Sequence, residues 1–308
     1  MSDSTASMRR KIGSADELRS VVRTMKTLAA SSIGQYEKSV RALADYARTV
    51  ELGLGACIRA EHPAFAAHAS GAKGAARKTP CEVGAVVFGS DQGLVGAFND
   101  RVADYALHAL KGLSENPHVW AVGERVHARL TDAGLMPCAL LEVPPSAAGI
   151  TALVGRIQVE SEAWRGADGD AAFYVFRNRP QPGAVCEPAG QRVLPLDEAW
   201  LRRLADVRWP TRIPPEILRS GTQTPRMLVR EYLFVSLFRA CAESLASENA
   251  SRLAAMERAE KNIDELLAEL QVAFNRLRQS GIDAELFDLV AGFEALAEAV
   301  PSASGSHR

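Results

Sequence analysis

The stretch most like a ligand cradle is Phe88-Gly-Ser-Asp-Gln-Gly-Leu-Val-Gly-Ala-Phe-Asn99, between a β-branched apolar run and a helical pattern. In an α/β sheet, backbone amides gather around a phosphate at such a place. Gly89, Gly93 and Gly96 would let the chain approach an anion closely. The spacing matches neither GxGxxG nor GxxxxGK(S/T), and no Lys follows. The expected role is a tight strand-to-helix crossover. Ser90 beside Asp91 reads as a helix N-cap pair in preference to a nucleophile and its base, since no further partner is near in sequence.

The other reactive residue types are scattered. His62, His68, His108, His118, His127 and His307 never fall three or four apart, so no pair shares a helix face as metal ligands do. Cys57, Cys81, Cys138, Cys186 and Cys241 form no CxxC pair. An odd, unpatterned set fits a reducing compartment and free thiols, with no disulfide framework or zinc site. Neither GxSxG nor HExxH occurs. Glu243 and Glu248 have no facing pair identifiable from sequence. No catalytic constellation emerges, and no cofactor or metal is expected.

The elements around these residues are unusual. From Arg226 to Ser280 there is no Gly and no Pro. Roughly 55 residues in one helix would extend about 80 Å, well past the usual helix of about 8–20 residues. Met256, Ile263, Leu270 and Leu277 repeat every seventh residue, with Ala259, Leu266 and Ala273 between them. That is an a/d seam, which expects one slender helical partner. A partner exists near the start of the chain. Leu18, Val22, Met25, Ala29, Ser32 and Tyr36 are spaced three and four apart, and Val40, Leu43, Ala47, Val50 and Leu54 follow after one register shift near Gly34. The pattern predicts a helix over about Ser14–Leu54, paired antiparallel with the C-terminal one.

Between them the patterns alternate. Strands are expected at Val83–Gly89, Val119–Gly123, Ala139–Val143 and Ala172–Asn178, with a last edge strand at Arg192–Leu196. Helices are expected at Ala97–Lys111, Arg125–Ala133 and Ile150–Arg165, with a short one around Ala199–Leu204. The fold class is therefore α/β: a long antiparallel coiled coil of the terminal helices plus a small, Rossmann-like, mostly parallel central domain. The expected segments are 1–61 (helix), 62–80 (linker), 81–196 (central domain), 197–225 (Pro-rich connector), 226–300 (helix) and 301–308 (disordered tail).

Composition narrows the function classes. Thirty-six basic and 37 acidic residues leave a net charge of −1, so there is no net basic field for nucleic acid. No apolar run approaches the ~20 residues needed to cross a bilayer, and Met1–Arg10 has no signal-peptide core.

Three stretches together resemble one family, the γ subunit of F-type rotary ATP synthases. Ala246-Ser-Glu-Asn-Ala-Ser-Arg-Leu-Ala-Ala-Met256, with Asn275-Arg-Leu-Arg-Gln279 and Val290-Ala-Gly292, is similar to its C-terminal ASExAARMxAM…NRARQxxIT…EIVxGA. Gly89–Asn99 is similar to its TSDRGLCGGLN, and Met25-Lys-Thr-Leu-Ala-Ala-Ser31 to its AMxMVAAS. The matches occur in the family's order and span nearly the whole chain.

The resemblance implies a non-catalytic central stalk. The paired helices would lie inside a hexamer of α and β subunits, with the central domain as a foot on the ε subunit and the membrane c-ring. Torque would couple proton or sodium transport to ATP synthesis or hydrolysis. One copy per complex is implied, peripheral to the membrane at the cytoplasmic face of a bacterial inner membrane. Carried over by motif, Arg252, Arg278 and Gln279 are implied contacts to the β subunit, and Gly89, Ser90, Asp91, Gly93 and Gly96 a structural turn of the foot.

Two departures stand out. Where the family has a dense basic patch, this chain has Ser32-Ile-Gly-Gln-Tyr-Glu37, and Gln279 is followed by Ser280-Gly-Ile-Asp283 where the family ends on Thr. These changes resemble the alternate, N-type bacterial branch. Two other readings stay open at this stage: a self-associating coiled-coil scaffold, and a nucleotide-binding α/β enzyme with helical arms.

Overall fold

A computed structural model describes residues 2–60, 82–165, 171–181, 184–213, 215–216 and 223–299. The expected linker at 62–80, the tail at 301–308 and Cys81 lie outside the described residues. The elements run α1 (Ser2–Ala60), β1 (Val83–Phe88), α2 (Phe98–Lys111), β2 (His118–Val122), α3 (Glu124–Asp132), β3 (Ala139–Leu141), α4 (Ile150–Arg165), β4 (Ala172–Gln181), β5 (Ala184–Leu194), α5 (Glu198–Asp206) and α6 (Gln223–Ala299). The chain divides into two compact units, Met1–Lys26 with Met256–Arg308, and Thr27–Ala255.

The first unit is a pair of helical segments from α1 and α6. Arg19 Nη1 lies 3.2 Å from Asp264 Oδ1, and Arg23 Nε 2.6 Å from Glu260 Oε1. Lys26 Nζ reaches the other Glu260 oxygen at 2.7 Å. Towards the other end, the Arg9 guanidinium sits 5.7 Å above the centre of the Phe274 ring. As one residue number rises its partner's falls, so the segments run antiparallel.

The seam is narrower than the heptads predict. Ala15, Val22, Ala29 and Tyr36 are buried at seven-residue intervals along α1, as are Met256 and Ile263 on α6. The alternate row stays open: Met25 is half-buried, Leu18 is 55% exposed and Leu266 is 46% exposed. Leu270 and Leu277 are half-buried. Two helices enclose only the residues directly between their axes, so one row seals while its neighbour borders a groove. Leu18, Ile263, Leu266 and Leu270 line that groove beside Arg10 and Lys11. Leu18 and Leu266 are thus corrected from sealed seam positions to groove walls.

α1 runs past the expected Ser14–Leu54 to cover Ser2–Ala60, and α6 covers Gln223–Ala299, close to the expected 226–300. α6 continues through Gly281 and Gly292, and α1 through Gly34. At all three a β-carbon would meet open space. These glycines cost helix propensity, about 1 kcal/mol each relative to Ala, but no packing, so they do not end the helices.

The second unit is built on a sheet of five strands in the order β3-β2-β1-β4-β5. β1 pairs parallel with β2 and β4, and β2 parallel with β3, while β5 returns antiparallel along β4. The parallel strands are apolar on both sides, as a sheet covered on both faces requires. Val83, Ala85 and Val87 point to α2 and α3, forming one core with Val102, Ala106, Val126 and Leu130. Val86, Phe88, Phe173 and Val175 point the other way, to a core shared with Ile157 of α4 and Leu237, Cys241 and Leu245 of α6. The expected edge strand at Arg192–Leu196 is instead an eleven-residue β5 over Ala184–Leu194, which includes Pro188. An edge strand tolerates proline because one side of its ladder is unpaired.

Candidate functional site

The glycine turn after β1 uses its own polar groups. Gly89 N donates to Val122 O (2.8 Å), and Ser90 N to Asn99 Oδ1 (3.0 Å). Asn99 Nδ2 returns a bond to Ser90 Oγ at 2.8 Å, and Ser90 Oγ donates to Gln92 O at 2.9 Å. Asp91 caps a different helix from the one expected. Its Oδ1 accepts from Glu124 N at the start of α3 (3.0 Å), and its Oδ2 from Val143 N (2.9 Å). The first residue before α2, Ala97, supplies no side-chain cap.

Close packing explains the glycines. A β-carbon on Gly89 would lie 2.3 Å from Val126 Cβ. Gly123, at φ +109°, brings the β2–α3 crossover against Ser90, where a β-carbon would meet backbone at 2.7 Å. Gly96 takes φ +60° in the same turn, while Gly93 is nearly free of neighbours. With the Gly89 and Ser90 amides committed internally, the turn stitches two crossovers together, and those two amides are not turned outward to an anion.

The second polar cluster was not legible in sequence. Glu243 of α6 faces Arg177 of β4, with Nε to Oε2 at 2.7 Å, and its other oxygen takes Arg239 Nε at 2.7 Å. The Arg177 and Glu243 side chains are 10% and 13% exposed. Burial pushes the Glu243 carboxyl up, but Arg177 and then Arg239 more than offset this and hold it below the usual carboxylate range. One turn on, Glu248 Oε1 accepts from Arg252 Nη2 at 2.7 Å. There burial dominates, Arg252 offsets it only in part, and the Glu248 carboxyl is pushed up. Glu248 Oε2, Arg252 Nε and the hydroxyls of Ser244 and Ser247 are buried without a hydrogen-bond partner. Burial, with Glu248 next, raises the Tyr36 hydroxyl and, strongly, the Cys241 thiol. The available signals were an Arg inside the apolar run Phe173–Phe176-Arg177 and two carboxylates on an otherwise apolar helical stretch.

The motif residues are therefore not brought together. Arg252, an expected contact to the β subunit, is 13% exposed and paired to Glu248. Arg278 and Gln279 are exposed and belong to the other compact unit. His118 stacks on Trp164 at 5.3 Å and meets Trp120 edge-on at 4.5 Å, and burial lowers its pKa. Cys57, Cys186 and Cys241 are buried, and Cys138 is an exposed thiol. Among the described residues no group of three His, Cys, Asp or Glu side chains could hold a metal, and no helix is long and apolar enough to cross a membrane.

Known proteins share this architecture. The ATP synthase family model matches residues 4–296. An ATP synthase gamma chain of Cupriavidus metallidurans is 27% identical over 95% of this chain and 99% of its own length. Another, from an Anaeromyxobacter species, is 28% identical over 94% and 98%. Among solved structures, a chain of Euglena gracilis mitochondrial ATP synthase (OSCP/F1/c-ring, rotational state 3) aligns with a TM-score of 0.65 at 15% identity, covering 100% of both chains. A chain from the Tetrahymena thermophila mitochondrial ATP synthase central stalk and c-ring aligns at 0.53 and 18% identity, over 78% of this chain and 99% of its own. A family match over nearly the full length, with relatives covered almost end to end, places the chain: it belongs to the ATP synthase family, among the gamma chains.

Proposed function

We propose that the chain is the central-stalk rotor of an F-type ATP synthase, carrying torque between an ion-translocating c-ring and a catalytic α/β hexamer. The observation that carries this reading is the end-to-end match to gamma chains, combined with long terminal helices joined to a compact sheet domain. It is a non-catalytic subunit, and bond-making belongs to the β subunits. The internally bonded amides of Gly89 and Ser90 weigh against this turn as a nucleotide site.

The foot engages the ε subunit and the c-ring, and the helical pair enters the hexamer. The complex sits at the cytoplasmic face of a bacterial inner membrane, with this chain peripheral and present once. Arg278 and Gln279 are the exposed contacts to the β subunit. Arg252 acts through its pair with Glu248, beneath the surface. The absent basic patch at Ser32–Glu37 and the Ser280–Asp283 continuation support placement in the N-type branch.

Purification from native membranes tests the reading. One copy should be recovered with the α and β subunits, ε and the c-ring. Recovery as a free homo-oligomer would contradict it. The isolated chain should bind no ATP at millimolar concentration; saturable binding lost in Gly93→Val would favour an enzyme instead.

A further inference from the structure

The sheet domain must turn α6 if it is to drive the stalk, and directional contacts can fix the angle between them in a way that apolar packing does not. Ala240, Ala242 and Ala246 are among the α6 residues in the shared core. Leu233, Leu237 and Leu245 pack beside them, but apolar contact is non-directional, so this packing sets the angle of the helix by shape alone. Two polar anchors fix that angle. Arg177 of β4 holds Glu243 at 2.7 Å in a nearly dry site. Thirteen residues earlier, Arg230 pairs with Glu162 of α4 at 3.0 Å. In the same turn, Gln158 Nε2 of α4 donates to the Arg230 carbonyl at 2.8 Å.

At about 100° per residue, positions 230 and 243 point about 140° apart around the helix. Rotation in either sense therefore stretches one anchor. A buried ion pair is weak evidence for stability, and fixing register is its best-attested use. Arg239 shares the Glu243 carboxylate from the exposed side, so the acceptor stays charged and oriented when the pair is loaded.

We propose that Arg177–Glu243, assisted by the Arg230 anchor on α4, is a torsional key that locks α6 to the sheet, so that rotation of the foot becomes rotation of the stalk. This rests on the rotor reading. Arg177 and Glu243 are positioning residues, and neither touches nucleotide or ion.

The test uses the whole complex in proteoliposomes, comparing unaltered chain, Arg177→Met and the exchange Arg177→Glu/Glu243→Arg. In Arg177→Met the complex should retain one copy of the chain and hydrolyse ATP within about twofold of normal. Ions moved per ATP should fall at least about threefold, and the exchange should recover more than about half of that loss. A merely structural role would lower the yield of complex without changing the ratio. An unchanged ratio in Arg177→Met, or an exchange no better than the single variant, would overturn the key and leave the rotor reading standing. If Arg177→Met does not assemble, Arg230→Ala, whose side chain is 55% exposed, must lower the same ratio, and a normal ratio there overturns the proposal. A complex depleted of this chain that still pumps ions on ATP would overturn the rotor reading and the key together.

Discussion

The helix α6 passes through two environments. Between Leu233 and Ala246 it is walled into the sheet domain, with Leu233, Leu237, Ala240, Cys241, Ala242 and Leu245 all buried. Its charges there are either nearly dry or paired. Beyond Met256 it shares one buried row with α1, and its ion pairs to Arg19, Arg23 and Lys26 lie at the surface. Exposed pairs contribute little each and are screened by salt. The first region is fixed by area and by key contacts. The second gains its stiffness from continuous backbone hydrogen bonding over many turns. Past Ser280, Leu286, Phe287, Leu289 and Phe293 are all exposed, a face suited to apolar surroundings supplied by a partner.

Substitutions in the two regions should differ accordingly. The largest effect belongs to the sheet domain: Phe173→Ala empties a fully buried site between Trp120 and the core. It should cost about 3–5 kcal/mol in urea unfolding of the purified chain. Next is Leu266→Pro in the helical pair. Its exposed side chain is of small consequence, but the lost backbone bond and ring clash should cost about 3 kcal/mol or more. In the complex it should uncouple ion flow from ATP turnover while hydrolysis persists in part; unchanged pumping would break the comparison. Within the pair, Val22→Ala should cost about 1.5 kcal/mol. Leu18→Ala, four residues away on the open row, should stay within about 0.5 kcal/mol. Equal losses at the two would mean that the groove row is sealed after all.

The smallest expected effect is the order of two titrations. Glu260 is held below its ordinary range by hydrogen bonds from Lys26 and then Arg23. Its contribution is complete above the ordinary carboxylate pKa and fades as pH falls through its depressed folded value. Glu248 is pushed up by burial, so its proton is held more tightly in the fold. Its contribution is greatest below the unfolded value and is lost as pH rises through the raised folded one. Carboxyl carbon shifts in labelled protein should show Glu248 titrating above Glu260. The reverse order would mean that the Glu248 site is wet.

Much of this was legible in the residues. Heptads and the long Gly- and Pro-free stretch gave the helical pair, because a period of seven needs no tertiary information. Short β-branched runs ending in Gly located β1 and β2, and the apolar run from Ala172 located the start of β4. Only the last part of β5 is legible, as the edge strand at Arg192–Leu196; its first part carries Pro188 and Gly190, which only an edge position excuses. The open row at Leu18 and Leu266 was invisible, since the axial offset of two helices is a tertiary property. The Arg177–Glu243 pair spans 66 residues, a distance over which sequence carries no pairing signal. The expected Ser90–Asp91 N-cap pair is not found; instead Asp91 accepts from the first amide of a helix that starts 33 residues on.

The central claim is that the foot and the helical pair turn together while the hexamer stays fixed. Cys138 is free and exposed on the sheet domain, and a bead attached there in a surface-anchored complex would report the motion directly. On addition of ATP, the bead should rotate continuously in one sense. A bead that stays still while the same complex hydrolyses ATP would contradict the account.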